Sequence, residues 1–493
     1  MDINKSLNSD NFPPTTDQLN FVDHISKFIG LGVSQLYLLC ALITCYEVIS
    51  RYVFDSPTQW AFETVMVLCA SAWMLSAGYI TLHKRHIGIT VIYIMVSKAK
   101  QWYLDLFAYV IGVIALWFFV DDTLVRAIES VMMTERAGSA WNSPQPLILK
   151  TMLVTGATIY LVQLLVNLYR HFDSQLAKNI VSGVAAFIIF RIILVFFEHA
   201  FELKGVIAIN EHLSSIAAYI EPTRYVDIRD IGIKWASILI VTAMVLLMMT
   251  GMPLGVVTLF VSILSALFYF GFNGLYLVST NAFGLLEAYP LIAVPLFVLM
   301  ASILEKAGVA EDLFDAMQIF AGKLRGGVAI QTIVVAVILA AMSGVMGGEI
   351  VMLGLVALPQ MMRLGYNRKL AIGVVCASGA LATLIPPSII MIVYGLSANV
   401  AIGDLFMAGA VPGLMLATFY AIFTLVRCYI NPSLAPNAEE VAAARGKEMK
   451  LNKEKKSAVM MCVFLIFCVM GSIYAGIASV TEAAAVGVVG AIV

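Results

Sequence analysis

Apolar runs long enough, or nearly long enough, to cross a lipid bilayer recur along the chain. With 61% hydrophobic and 12% charged residues, the sequence is too apolar for a soluble protein of 493 residues. A helix that spans the hydrocarbon core needs about 20 apolar residues. We therefore predict an all-α polytopic membrane protein. The runs lie at about 28–50, 62–81, 102–120, 147–169, 180–198, 235–250, 254–272, 289–304, 405–428 and 457–475.

Two other apolar stretches are interrupted. Residues 341–349 contain three glycines and Glu349, and residues 385–388 read Ile-Pro-Pro-Ser. Unpaired backbone groups at membrane depth are tolerated only where the backbone is buried in protein or lines a cavity. Many secondary transporters hold ions and substrate with discontinuous helices of this kind. The two interruptions therefore point to a transport function.

Basic residues in short loops indicate the cytoplasmic side of a membrane protein. The loop after the second run is basic, so we predict that this loop and the amino terminus are cytoplasmic. Basic residues also precede and follow residues 328–361, which must leave and re-enter the same side. About 34 residues suit a re-entrant hairpin better than two spanning helices. The residues used are Lys84, Arg85, Lys98, Lys100, Lys323, Arg325, Arg363, Arg368 and Lys369.

Several functions are disfavoured by composition and motifs. The net charge of -1 leaves no basic face for phosphates, so we expect no nucleic-acid partner. The cysteines and histidines lack the spacing of a zinc site. No nucleophile and base are paired, and no phosphate-binding loop ending in Lys-Ser or Lys-Thr occurs. We therefore expect no catalytic site, no enzyme activity and no use of ATP.

The front part of the chain carries a string of motifs. Arg, Tyr and Trp at the end of a span are ordinary interfacial anchors, and that interpretation would suffice alone for these residues. The whole string resembles the small membrane subunit of the tripartite ATP-independent periplasmic (TRAP) transporters. It consists of Arg51-Tyr52-Val53-Phe54, Pro57, Trp60, Glu63, Gly78 and His86-Ile87-Gly88-Ile89.

The rear part resembles the first half of the large TRAP subunit. The matching residues are Pro295-Leu296-Phe297, Gly322 to Gly327, Ser343-Gly344, Pro359, Gly365-Tyr366, Ile385-Pro386-Pro387-Ser388 and Tyr394-Gly395. Together the two resemblances imply a fused small-large permease. Its parts would be a cytoplasmic tail (1–26), a four-helix small-subunit module (27–178), a joining helix with an extracytoplasmic linker (179–230) and the first repeat of an inverted-repeat transport module (231–493).

The resemblance implies a sodium site at the hairpin tip and the broken helix, formed largely by backbone carbonyls and hydroxyls. A hard cation prefers oxygen ligands, which unwound backbone supplies without adding full charges. Val345 and Met346 stand where many family members have small or hydroxyl residues, so only their carbonyls can serve. A glycine-lined helix contact without an ion is the alternative. The candidate ligands are Ser343, Gly344, Met346, Gly347, Ala382, Ile385 and Pro387.

Three residues are assigned to the vicinity of the substrate site: Glu349, Pro386 and Ser388. An ionisable residue at membrane depth is costly and therefore functional by default. Glu349 can instead satisfy freed backbone amides beside the hairpin, and both interpretations stay open.

The function implied is sodium-coupled uptake of an organic anion of the dicarboxylate, keto acid or sugar acid type. A separate periplasmic binding protein would deliver it, and elevator-like alternating access would move it across the bacterial inner membrane. Sodium would be the coupling ion, with no other metal or cofactor. The alternatives are an anion permease without a binding protein and a haem-bearing membrane anchor of an electron-transfer complex. The haem ligand would be His83, His86 or His199.

The sequence stops in an apolar run after Thr481-Glu482-Ala483, where family members continue into a second, inverted repeat. The large-subunit part is therefore expected to be truncated after its first repeat. A fragment, a disrupted copy and one of two chains, with the second repeat on the other, are the explanations left open.

Two smaller features complete the expectations. Arg191 interrupts the apolar run 180–198 and is expected to reach a lipid headgroup or to pair with Glu198. The segment from Glu311 to Phe320 is amphipathic and is expected to rest at the cytoplasmic interface.

Overall fold

The computed structural model describes residues 20–201, 231–321, 324–437 and 453–492. These residues form helices, short 3-10 segments and turns, with no β-strand among them. The first nine helices are α1 (Phe21–Tyr52), α2 (Ala61–Leu82), α3 (Val91–Met95), α4 (Lys98–Met132), α5 (Gln145–His171), α6 (Gln175–Phe201), α7 (Ile233–Met249), α8 (Leu254–Phe270) and α9 (Leu275–Leu286). The other nine are α10 (Ala293–Lys306), α11 (Val309–Ala321), α12 (Gly327–Ser343), α13 (Met346–Arg363), α14 (Arg368–Gly379), α15 (Ile389–Ala398), α16 (Ile402–Ile430), α17 (Lys453–Tyr474) and α18 (Val480–Ile492).

Seven helical segments in the described part are long and apolar enough to cross a membrane. They are α1, α2, α4, α5, α6, α16, and α10 together with the 3-10 turn before it. Each coincides with a run expected from the sequence, which confirms an all-α polytopic membrane protein. Helices α7, α8, α12, α15 and α18 are apolar but shorter. The predicted linker and most of the predicted tail lie outside the described residues.

The chain divides into two compact units, residues Met1–Leu36 with Phe62–Glu287, and Tyr37–Ala61 with Ala288–Val493. This division assigns α7, α8 and α9 to the first unit, although the sequence places them in the large-subunit part. Helix α9 was not expected, because its 12 residues are too few for a span. The sequence boundaries between the modules remain predictions.

Helix α4 organises the first unit by packing against α5, α6, α8 and α9. The core of this packing is apolar, with Leu116, Val120 and Leu161 almost completely buried. The loop after α2 pairs with the turn before α8, where Leu254 N–H donates to Ile87 O at 2.8 Å. A Cβ on Gly88 would lie 3.0 Å from Gly251 O, so the glycine of the His-Ile-Gly motif permits this approach.

Ion pairs connect helices of the first unit. Arg191 on α6 lies 3.3 Å from Asp121 on α4, a partner that the sequence did not predict. Asp121 precedes Arg191 by 70 positions, and only the packing of α4 against α6 brings them together. Asp23, whose side chain is fully buried, accepts a hydrogen bond from Arg170 Nη1 at 3.1 Å.

The second unit is built around α12, which packs against α11, α13, α14 and α16. Leu313 and Phe314 of α11 are fully buried. The predicted amphipathic segment is therefore a helix whose apolar side packs within the protein. Helix α18 packs against α10 and α17.

The first turn of α18 is closed by a capping box. Ser479 N–H donates to Glu482 Oε2 at 2.7 Å, and Glu482 N–H donates to Ser479 Oγ at 3.3 Å. Arg51 approaches Glu482 at 3.4 Å and Glu47 at 2.7 Å. The Arg-Tyr motif therefore contributes an ion-pair cluster within this unit and is more than an interfacial anchor.

Candidate functional site

The chain reverses direction between α12 and α13. Ser343 is the last residue of α12, and Gly344 follows in the left-handed region with φ of +58°. Gly344 N–H donates to Ala340 O at 3.2 Å and closes the helix. Val345 is extended, and α13 begins at Met346. Glycine adopts the left-handed conformation without the cost of a Cβ, so Gly344 determines where the hairpin turns.

The helix predicted to be interrupted at residues 385–388 is interrupted in the structure. Helix α14 ends at Gly379, a 3-10 turn covers Ala380–Thr383, and α15 begins only at Ile389. Ser388 is fully buried, and its Oγ donates to Thr383 O at 2.9 Å. The hydroxyl therefore satisfies one carbonyl that the break leaves without a helical donor.

Another carbonyl is freed by the prolines themselves. In a continuous helix the carbonyl of Ala382 would accept from the N–H of residue 386, but Pro386 has none. Ala382 is fully buried and Ile385 is nearly so. The break therefore offers uncharged backbone oxygen within buried protein.

The hairpin tip and the break meet through Gly344. A Cβ built on Gly344 would lie 2.0 Å from Pro387 O and 3.3 Å from Ser388 Cα. No side chain fits at that separation, so the residue must be glycine for the two interruptions to touch. Gly344 and Pro387, two of the predicted ligand positions, are thus side by side.

Two further glycines at the break were not predicted from the sequence. Gly409 and Gly413 of α16 face the break. A Cβ on Gly409 would lie 2.9 Å from Leu384 O, and one on Gly413 would lie 2.8 Å from Ile385 Cγ1. Glycines four residues apart are a known device for close helix packing in membranes, so a signal was present.

The other predicted residues lie around this contact in different ways. Met346 is 44% exposed, and Gly347 is exposed beside it in the first turn of α13. Glu349 is buried and lines a cavity of about 180 Å³ with Ser302 and Glu305. Pro386 and Ser388 do not line that cavity, so the three residues assigned to the substrate vicinity are divided.

The histidines named for the haem alternative bond within the protein. His83 Nδ1 lies 3.0 Å from Tyr79 O, and His199 Nδ1 lies 3.0 Å from Val195 O. His86 Nε2 lies 2.8 Å from Thr81 Oγ1. A bond from Nδ1 to a backbone carbonyl, as in His83 and His199, is compatible with metal ligation through Nε2, so these contacts do not test the haem alternative.

Comparison with known families identifies the chain. The family described as the tripartite ATP-independent periplasmic transporter, DctM component, matches residues 241–493, just over half of the sequence. The DctQ component of the same transporters matches residues 40–174. The chain belongs to the TRAP transporter family. It carries small-subunit and large-subunit parts in one polypeptide, as the fused permease expected from the sequence does. TRAP permeases are multi-pass proteins of the inner membrane and are transporters rather than enzymes.

Individual TRAP relatives match part of the chain. A C4-dicarboxylate TRAP transporter large permease protein DctM from Rhodobacter capsulatus is 33% identical over 52% of this chain and 59% of its own length. An ectoine TRAP transporter large permease protein TeaC from Halomonas elongata is 33% identical over 50% of this chain and 56% of its own length. An isethionate TRAP transporter permease protein DctMQ from Oleidesulfovibrio alaskensis is 32% identical over 42% of this chain and 32% of its own length. The chain spans about half the length of the curated relatives it matches.

Proposed function

We propose that this chain is part of a secondary transporter that takes up an organic anion together with sodium. A periplasmic binding protein would deliver the anion, and the second unit would expose it alternately to the two sides of the membrane in an elevator-like movement. The observation that carries the proposal is the contact of Gly344 with Pro387. It joins a hairpin tip to a broken helix in a chain of the TRAP family.

The residues at this contact suit a sodium ion. Sodium prefers oxygen ligands, and unwound backbone presents carbonyl oxygens at fixed positions. Ala382 and Pro387 would contribute carbonyls from the break, and Gly344 would contribute one from the hairpin. The remaining candidates are Ser343, Met346, Gly347 and Ile385. Sodium bound here would favour the closed contact between the tip and the break.

The substrate is proposed as a class only. The relatives are named for C4-dicarboxylates, ectoine and isethionate, which differ in size and charge. We propose an organic anion of the dicarboxylate, keto acid or sugar acid type. Glu349, Pro386 and Ser388 would lie near it. The second repeat of the transport module would be supplied by a separate chain or by a longer form of this one.

The orientation follows from the charges of the loops. The amino terminus, the loop after α2 and the ends of the hairpin would lie in the cytoplasm. The Gly344 turn would then lie within the membrane, and the binding protein would approach from the side opposite to the amino terminus.

Uptake into proteoliposomes tests the proposal. The chain alone, and the chain supplemented with a second repeat, would be assayed with a periplasmic binding protein, with and without a sodium gradient. We expect uptake only with the second repeat, the binding protein and sodium. Sodium-independent uptake by the completed protein would contradict the mechanism, and uptake without the binding protein would favour the anion permease.

A binding assay tests the ion site without transport. Sodium should raise the unfolding temperature of the purified chain, and Gly344→Ala should abolish that increase. Gly354→Ala is the matched control, because a Cβ on Gly354, also in the hairpin, meets nothing within 4 Å. Equal sodium stabilisation of both variants would argue for a glycine contact that binds no ion.

A further inference from the structure

A cavity of about 540 Å³ lies between α12, α14 and α16 in the second unit. Its volume is in the range of small-molecule sites, about 300 to 1,000 Å³. None of the candidate sodium ligands lines it. The cavity is therefore separate from the Gly344 contact.

Two cations stand at one end of this cavity. Lys369 is in the first turn of α14, and Arg427 is in the last turn of α16. Both are exposed, and neither side chain forms an ion pair within the described residues. Among the described residues, no acidic side chain lines the cavity. This end is therefore positively charged and suited to an anion.

The walls beyond the cations are mostly apolar. Leu370, Val374 and Phe423 line the cavity, and Ser378 closes its inner end. Lys369 and Ser378 are nine positions apart on α14, which corresponds to about 13 Å along the helix axis. Thr424 is one turn deeper than Arg427. The cavity is a slot with a cationic mouth and mostly apolar walls, among which Thr424, Tyr420 and Ser378 carry hydroxyls.

We propose that this slot binds an anionic phospholipid of the cytoplasmic leaflet. The phosphate would contact Lys369 and Arg427, and an acyl chain would lie along Leu370, Val374 and Phe423. Basic pockets between membrane helices on the cytoplasmic side are suited to acidic lipid headgroups. The loop charges place this end of α14 and α16 at that surface.

The shape and charge favour a lipid over a soluble organic anion. A short dicarboxylate bound at the two cations would direct its second carboxylate against the apolar wall, which is unfavourable. An acyl chain fills the same wall without an unpaired charge. The hydroxyl of Ser378 has no hydrogen-bond partner among the described residues and would suit a soluble anion better. Ser378 therefore distinguishes the two ligands.

Native mass spectrometry of the purified full chain tests the proposal with phosphatidylglycerol and phosphatidylethanolamine as probes. We expect the wild type to retain phosphatidylglycerol preferentially. Lys369→Gln combined with Arg427→Gln should weaken this retention by about thirtyfold, because each cation near a membrane surface lowers the dissociation constant by a factor of about five to six. Arg368→Gln, the neighbouring cation outside the slot, should retain phosphatidylglycerol as the wild type does.

A steric variant separates the slot from general surface attraction. Gly373 lines the cavity, and a Cβ on it meets nothing within 4 Å. Gly373→Leu should fill the slot and reduce phosphatidylglycerol retention with both cations present. The unfolding temperature of each variant, measured without added lipid, would show that it is folded. Full retention by folded Gly373→Leu, or by the double charge variant, would overturn the proposal.

Two further measurements distinguish the lipid from a free anion. Glycerol phosphate and succinate, added in excess, should not displace phosphatidylglycerol, and Ser378→Ala should leave its retention unchanged. Displacement by either soluble anion, or loss of retention in Ser378→Ala, would overturn the lipid assignment. These outcomes are independent of sodium and of transport.

Discussion

The first unit and the hairpin region hold polar groups within apolar helices in different ways. In the first unit, charged side chains pair, as Asp23 does with Arg170. At the hairpin, Gly344 brings the backbone against Pro387, and Gly409 and Gly413 bring α16 against Leu384 and Ile385. The first arrangement consumes the polar atoms in a fixed pair. The second leaves backbone oxygens near the contact that can serve as ligands.

The ion pairs therefore stabilise the fold, whereas the glycine contacts form the candidate ion site. An ion pair within the protein contributes little if it is complete but costs much if it is broken, because the remaining charge is left buried. A glycine contact contributes no charge, and it fails when any side chain is added. Substitutions that remove charge should therefore affect the first unit, and substitutions that add volume should affect the hairpin.

The largest effect is expected from Arg170→Leu. Asp23 is fully buried and would keep its charge with only hydrogen bonds from Gln163 and Asn20. The free energy of unfolding should fall by about 3 to 5 kcal/mol, measured in mixed micelles with increasing SDS. Combining Arg170→Leu with Asp23→Leu should recover at least half of the loss. A double variant no more stable than Arg170→Leu would show that the pair is not the cause.

Gly344→Ala should have the next largest effect. The left-handed conformation costs alanine free energy that it does not cost glycine. The Cβ of alanine would also lie 2.0 Å from Pro387 O unless the hairpin moves. We expect a loss of about 2 to 4 kcal/mol in the free energy of unfolding. Gly354→Ala, which changes the same hairpin at an open position, should be neutral or stabilising. Equal losses in both variants would mean that the Gly344 contact is absent.

The hairpin and the break were predictable because their signals are local. Glycines within an apolar stretch, two adjacent prolines and the charges on both sides required an interruption at each place. Ser343-Gly344 and the Ile-Pro-Pro-Ser sequence also matched a family pattern. The identity of the bound ion was not a local property, and the ligand set remains a prediction.

Contacts between distant residues were beyond the sequence. Arg191 pairs with Asp121, which lies 70 positions earlier on another helix. Gly409 and Gly413 have a spacing common to many membrane helices, so their partner was not identifiable. The local sequence therefore does not connect either pair to its neighbour in space.

Gly413→Ala tests whether α16 belongs to the glycine-mediated region. The new Cβ would lie 2.8 Å from Ile385 Cγ1, a side-chain atom that can move, so the loss should be smaller than for Gly344→Ala. We expect about 1 to 2 kcal/mol, together with weaker stabilisation by sodium. Gly403→Ala in the same helix meets nothing within 4 Å and should not be destabilising. Unchanged sodium stabilisation in Gly413→Ala would exclude α16 from the ion site.

The smallest effect is expected from pH, through His86 in the loop after α2. Burial lowers the pKa of His86 from its ordinary value of 6.5. The unfolded chain therefore binds this proton before the folded chain does as pH falls. The stability contributed by neutral His86 should be present above pH 6.5 and should decrease between 6.5 and the lower, folded pKa.

His86→Gln removes this titration and preserves a polar group beside Thr81, which lies 2.8 Å from His86 Nε2. The unfolding temperature of the wild type should fall slightly more than that of His86→Gln when pH is lowered from about 7.5 to about 5.5, since only the wild type loses the neutral ring. The Asp23–Arg170 pair is common to both proteins, so its contribution cancels in the comparison. Identical pH profiles of the two proteins would show that the stability of the folded chain does not depend on neutral His86.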